Sequence, residues 1–464
     1  MSDQNPSGRA QWASNIGFVL AAAGSAVGLG NIWKFPGKAY EGGGGAFLIV
    51  YLLIVAVIGL TVMLAEFVIG RHTQKDTIGA FIQLRPKWKA WGFLGVLTGF
   101  IINCYYMQVG GWVIYYIFSY LFNSAAIYAD PVVYFLNMLG AEGFPLMGCI
   151  VCPLVFLGLN VFIVTRGVEK GIEKFNKVGM PALFILLIIL MIRAMTLPGA
   201  GEGIKYMLTP NFSMVTGETV LVALGQAFFS LSLGMAIMIT YGSYLKKDEN
   251  LAKNTALVCG LDTLIAFLAA FIIIPAVFAT GVDPGKGGGF AFISLATVFQ
   301  NMPLGVLFGV LFYLLLFFAA ITSAMSLMEG TVAAITEQKN MDRIKVTIGL
   351  AIGMLAIGLF YTLSQVNMNL KGVWFDFANG VTFPILGDFM EFLTDRLLIP
   401  INALIACLLA GWVWGAKNGV DEVRQNGKFP FKLADAWSFA VKFVAPAAIV
   451  IIIVFGIVMG KTYS

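Results

Sequence analysis

Charge is scarce in this chain. Only 11% of its 464 residues are Asp, Glu, Lys or Arg, against about 25% in an ordinary soluble domain. Histidine is scarcer still. The single one, His72, stands in a basic loop, and no nucleophile–base pair or metal-ligand cluster accompanies it, which argues against an enzyme. No G-x-x-x-x-G-K-[ST] stretch occurs, which excludes a nucleotide-driven pump. The five cysteines (Cys104, Cys149, Cys152, Cys259 and Cys407) all fall in apolar segments. Cys149 and Cys152 form a C-x-x-C with no second pair or histidine nearby, so they read as core packing. Met1 to Gln11 lack the apolar stretch of a cleavable signal peptide.

What is abundant is hydrocarbon. Hydrophobic residues make up 59% of the chain, and its mean hydropathy is +0.87. This is the composition of a polytopic membrane protein, an all-α bundle forming a single domain over 1–464. A bilayer-spanning helix needs about 20 residues. Apolar runs of that order lie at 12–37, 43–70, 91–122, 144–165, 178–197, 217–244, 255–281, 304–335, 346–363, 389–415 and 437–459, which are numbered here as spans one to eleven. Basic residues mark alternate connections: Arg9; Arg71, Lys75, Arg85, Lys87 and Lys89; Arg166, Lys170, Lys174 and Lys177; and later Lys246, Lys247, Lys253, Lys339, Arg343, Lys345, Lys417, Arg424, Lys428 and Lys432. That asymmetry predicts a cytoplasmic segment at 1–11 and, with an odd number of spans, an external carboxyl terminus. The net charge of +5 is thereby used for topology and gives no sign of a nucleic-acid partner. On the outer side, 124–143 is partly apolar. The stretch 284–302 is a glycine hinge followed by a short amphipathic helix, which reads equally as a lid or an ordinary structured loop.

Two spans are poor continuous helices. Gly24-Ser25-Ala26-Val27-Gly28-Leu29-Gly30-Asn31, running on to Lys34, puts three glycines and an amide inside hydrocarbon. Glycine costs roughly 1 kcal/mol against alanine in a helix, and unpaired backbone in lipid costs several more. Packing through small residues does not explain Asn31 or Lys34. In span six, Ser230, Ser232 and Gly234 interrupt another apolar run. In span five, Gly171 and Pro181 weaken the helix start, so its cytoplasmic part can unwind. Interrupted helices five spans apart point to an inverted-repeat transporter with a mid-membrane site. Asp262, alone in span seven, is functional by default; its plainer reading is a protonated structural acid.

These residues carry a resemblance. Gly24 to Asn31, Phe35-Pro36, Gly43-Gly44-Gly45-Ala46-Phe47, Glu66 with Gly70-Arg71, Tyr105-Tyr106, Phe228 to Gly234 and Thr322-Ser323 resemble the neurotransmitter:sodium symporter family across nearly the whole chain, most closely its bacterial amino-acid transporters of the leucine-transporter type. The resemblance implies eleven helices in a 5+5 inverted repeat, with 12–197 and 215–415 as repeats and 437–459 as an extra helix, in a bacterial inner membrane. It implies two sodium ions, no organic cofactor and a small amino acid as partner. The first sodium would take Ala26, Asn31, Ser230 and Asp262; the second Gly24, Val27, Ala319, Thr322 and Ser323. The substrate would contact Ala26, Leu29, Gly30, Ile102, Tyr106, Phe229, Ser230, Ser232, Met235, Ser323, Ser326 and Leu327, mostly apolar, which suits a neutral hydrophobic or aromatic amino acid. Met235 stands where an aromatic occurs in the leucine transporter and suggests breadth of substrate. Many relatives carry asparagine where Asp262 stands; with Ala266 at what looks like a chloride-ligand position, chloride independence is expected. Lys34 with Glu391 or Asp388 would form an outer gate, and Arg9, Trp12 and Glu337 an inner latch. Glu66 is expected to bond unwound backbone. A proton-coupled carrier is the rival, with Asp262 as proton carrier.

Overall fold

A computed structural model describes residues 10–141, 146–282, 290–364 and 386–458. All regular structure in those residues is helical, with no strand among them. Nine helices among them are long and apolar enough to cross a bilayer, or ten if the bent pair Asn15–Ala26 and Gly30–Glu41 is one span. These fall on ten of the expected runs. The remaining run, span six, is two shorter helices, Gly217–Ser230 and Ile237–Ser243, separated by 231–236.

The bend in span one is 52°. Val27 leaves helical geometry at ψ 102°, and the chain resumes helix at Gly30. Gly28 lets other spans approach this point. A Cβ there would lie 2.7 Å from the Ser323 hydroxyl and 2.9 Å from the Tyr106 hydroxyl. The carbonyls set free are taken up by hydroxyls: Ser25 O accepts from Ser232 at 2.9 Å and Ser323 at 3.0 Å, and Val27 O accepts from Ser323 at 3.2 Å.

The break in span six runs through left-handed backbone at Ser232 (φ 52°), Gly234 (φ 71°) and Ala236 (φ 64°). For the two non-glycine residues this costs on the order of 1–2 kcal/mol each. Buried polar groups hold it in place. Glu66 Oε1 accepts the Gly234 N–H at 2.7 Å, and Asn402 donates to Gly234 O at 3.0 Å. Glu66 therefore bonds the unwound backbone. The Ser232–Ser25 bond ties one break directly to the other.

The start of span five is wound, with a π-helical turn at Val168–Glu173 and then continuous helix Lys174–Met195 through Pro181. Gly171 has a packing reason, because a Cβ would lie 2.1 Å from Ile163 O on span four. The glycine hinge at 283–289 lies outside the described residues. The helix after it is wedged into the bundle, with Phe292 stacked on Phe135 at 5.4 Å and Leu295, Ala296 and Val298 buried. Residues 124–139 form two short helices, the second capped by Asp130. All five cysteines are free and buried.

Gly234→Ala should be strongly destabilising. Besides the left-handed φ, the added Cβ would meet Ile399 O at 2.3 Å, a cost of a few kcal/mol. A thermal melt in detergent within 1 °C or so of wild type would refute this.

Candidate ion and substrate site

The paired breaks converge on a small cavity. It is lined by Ala26, Gly28, Gly30 and Asn31 of span one, Ile102 and Tyr106 of span three, Phe229, Ser230, Ser232 and Met235 of span six, and Ser323 and Leu327 of span eight, with Ser25 beside them. Ten of the twelve expected substrate contacts are therefore in its wall. Leu29 reaches the site through its backbone, its N–H donating to the Tyr106 hydroxyl at 3.1 Å. That bond fixes the phenol oxygen at the cavity wall. Ser326 is not in the wall; its hydroxyl donates to Thr322 O at 2.8 Å and accepts from Tyr241 at 2.7 Å.

Behind Asn31 and Ser230 of that wall is Asp262, fully buried. Its carboxylate accepts from Asn31 Nδ2 at 2.7 Å and from Ser230 Oγ at 2.8 and 3.1 Å. These donors are neutral, so a charge at the bundle core has no side-chain counter-ion in this set. A hard monovalent cation suits such oxygens. The Asn31 amide oxygen, expected to face that cation, points instead to the Gly28 N–H at 3.1 Å. Its nitrogen is the group that can satisfy a buried carboxylate. Among the described residues, no group of three or more His, Cys, Asp or Glu could hold a metal ion.

The second expected ion position gathers Val27 O and Ser323 Oγ, 3.2 Å apart. Thr322 bonds back to Phe318 O at 2.9 Å and Ala319 O at 3.1 Å, as hydroxyls in apolar helices do. Sequence reasoning missed Asn176, in the helix Lys174–Met195 just before span five. Its Oδ1 is buried without a hydrogen-bond partner and lies 2.2 Å from where a Gly24 Cβ would be. A lone amide in a basic-flanked helix start gave no signal.

Both ends of the site are closed. On one side Lys34 Nζ lies 3.2 Å from Asp395 and 3.8 Å from Glu391, and 4.8 Å from the centre of the Phe229 ring. Asp395 is the nearer partner and was not expected; it stands one turn beyond Glu391 on the same helix face. The Asp388 side chain lies outside the described residues. On the other side Trp12 is buried, donates to Tyr241 O at 3.0 Å and sits edge-on to the Tyr241 ring at 5.1 Å. Glu337 accepts the Asp76 N–H at 3.0 Å, while Arg9 lies outside the described residues. Two further clasps escaped sequence reasoning. Glu173 accepts from Ala13 N at 2.7 Å and Ser14 Oγ at 2.8 Å, docking the start of span one on span five. Buried Glu329 accepts from Tyr244 at 2.7 Å and pairs with Arg343, which also donates to Val164 O.

This arrangement has known counterparts. The family model described as the sodium:neurotransmitter symporter family matches residues 9–128 and 131–464. The chain belongs to that family. It is similar to an uncharacterized sodium-dependent transporter, YhdH, of Bacillus subtilis, 36% identical over 97% of this chain and 98% of that one. It is also similar to the sodium- and chloride-dependent taurine transporter of Rattus norvegicus, 30% identical over 72% of this chain and 62% of that one. Among solved structures it matches MhsT in complex with L-phenylalanine, with TM-score 0.85 and 37% identity over 96% of this chain and 99% of that one. The symporter is thus an all-helical, multi-pass membrane protein with the leucine-transporter fold, and a transporter rather than an enzyme.

The Asp76 carboxyl, in the connection after span two, is held above its ordinary value, at about 6, by burial and by the neighbouring Glu337, against the Gln338 hydrogen bond. A raised folded-state value favours the neutral form. The stability this group contributes is therefore full below pH 3.8 and is lost as pH rises through about 6. Asp76→Asn keeps the helix cap and should flatten that part of the melting-temperature profile; equal pH profiles for both proteins would contradict it. Asp262→Ala should abolish or weaken at least tenfold the stabilisation that sodium, compared with potassium, confers on the purified symporter. An unchanged sodium titration would remove Asp262 from the ion site.

Proposed function

We propose that this symporter carries a neutral, hydrophobic or aromatic amino acid together with sodium, without needing chloride. The observation that carries the reading is the buried Asp262 carboxylate, hydrogen-bonded to neutral Asn31 and Ser230, which themselves line a mainly apolar cavity. A cation beside Asp262 compensates its charge. A substrate carboxylate then finds that cation, the half-helix amides near Leu29 and Gly30, and the Tyr106 hydroxyl. The side chain faces Ile102, Phe229, Met235 and Leu327. Because Asp262 is a fixed negative charge, no chloride is called upon to balance the ion. A relative of similar sequence is named chloride-dependent; the carboxylate is the reason for expecting this chain to differ.

A second sodium is assigned to Gly24, Val27, Ala319, Thr322 and Ser323. The basic face, carrying Trp12 and the lysine-rich connections, is taken as cytoplasmic by the positive-inside rule. Sodium and substrate share one connected site, so each raises the other's affinity. Opening the Lys34–Asp395–Glu391 gate exposes the cavity to the outside. Release of Trp12 and the Glu173 clasp exposes it to the inside. Alternation between the two is the transport cycle.

Uptake into proteoliposomes tests the reading. An inward sodium gradient should drive accumulation of phenylalanine- or leucine-like substrates equally with chloride or gluconate outside. Charged amino acids should not compete. Loss of uptake on removing chloride would overturn the chloride assignment, and equal uptake driven by a proton gradient alone would favour proton coupling.

A further inference from the structure

Behind the transport site lies a second concavity that none of the roles above uses. Spans three, eight and nine leave a groove of about 840 Å³ between their outward faces, at the basic end of the bundle. Its walls are Phe93, Val96, Leu97, Phe100, Ile335 and Leu350, and Lys87, Lys89 and Lys339 stand along it. Every lipid-facing helix surface is apolar, so apolarity alone marks nothing. Here the surface is concave, and cationic groups are gathered where spans three and eight leave the membrane on the basic side.

The lysines are exposed, and none of the ion pairs among the described residues includes them. Nearby carboxylates have other bonds: Glu337 takes the Asp76 N–H, Asp76 takes the Gln338 amide at 2.8 Å, and Asp342 takes the Lys345 N–H at 3.0 Å. The dimensions fit one leaflet. Lys89 and Phe100 lie on one helix eleven residues apart, or about 16 Å along its axis; half of a hydrocarbon core is about 15 Å. Trp91, 42% exposed, lies in the first turn of the same helix, where an aromatic marks the membrane interface.

We propose that this groove binds one anionic phospholipid from the leaflet on the basic side. Its phosphate lies among Lys87, Lys89 and Lys339, and an acyl chain runs along Phe93, Leu97 and Phe100. Clustered lysines at the edge of a bilayer attract anionic headgroups. A zwitterionic lipid fills the apolar part as well but leaves the three charges unmatched. The lipid thereby braces span three against span eight, the helices that carry Tyr106 and Ser323.

Native mass spectrometry of the full-length, delipidated symporter, titrated with phosphatidylglycerol and separately with phosphatidylcholine, tests this. Phosphatidylglycerol should bind at least tenfold more tightly. The triple variant K87Q/K89Q/K339Q should lose roughly 100-fold of that affinity, at about fivefold per lysine. The control K170Q/K174Q/K417Q, three exposed lysines outside the groove, should stay within about twofold of wild type. Ala90→Trp, which fills the groove and keeps every lysine, should weaken binding tenfold or more. Equal affinity for the two lipids, wild-type binding in the triple variant or in Ala90→Trp, or an equal loss in the control would each overturn the proposal.

Discussion

In lipid a helix cannot stop without giving its freed backbone groups somewhere to go. This chain stops two helices near the middle of the bundle, and most of what is distinctive about it follows from that constraint. Ser232 and Ser323 supply hydroxyls to the carbonyls of Ser25 and Val27. Glu66 and Asn402 hold the two sides of Gly234, and Tyr106 takes the Leu29 N–H. Spans two, three, eight and ten are thus bound to the breaks by polar bonds that hydrocarbon cannot replace. The cavity is the space that those bonds keep open.

The same constraint explains why the polar residues are few but concentrated. Asp262, Asn31, Ser230 and Glu66 are all fully or almost fully buried. A buried charge with neutral partners is costly unless something binds it. A cation beside Asp262 would offset that cost. Closing groups lie above and below it, each built from pairs that can separate: Lys34 with Asp395, Trp12 with Tyr241, Glu173 with the start of span one. None of these pairs is local in sequence, so opening either end moves one span relative to another.

Much of the fold could be read from the chain because long apolar runs and glycine clusters are local signals. Ten expected runs coincide with helices long enough to span, and the two interruptions stand where glycine and serine collect. Gly28 and Gly234 are required by contacts with other spans, which the sequence shows only as residues that helices avoid. Asp262 announced itself as a single acid in an apolar helix. Glu173 did not, because it sits among lysines that suggest ordinary surface pairs; Glu329 is likewise a single acid in an apolar helix, but its partner Tyr244 is 85 residues away, as Ser14 is 159 from Glu173. Asp395 was overshadowed by Glu391 on the same helix face.

If the ion beside Asp262 and the substrate carboxylate occupy one connected site, their affinities must be linked. The direct test is to titrate sodium against the purified symporter with and without saturating L-phenylalanine, and L-phenylalanine with and without sodium. The account predicts that each ligand tightens the other by the same factor, roughly 5- to 150-fold. Independent binding of the two, with neither affinity altered by the other ligand, would contradict it.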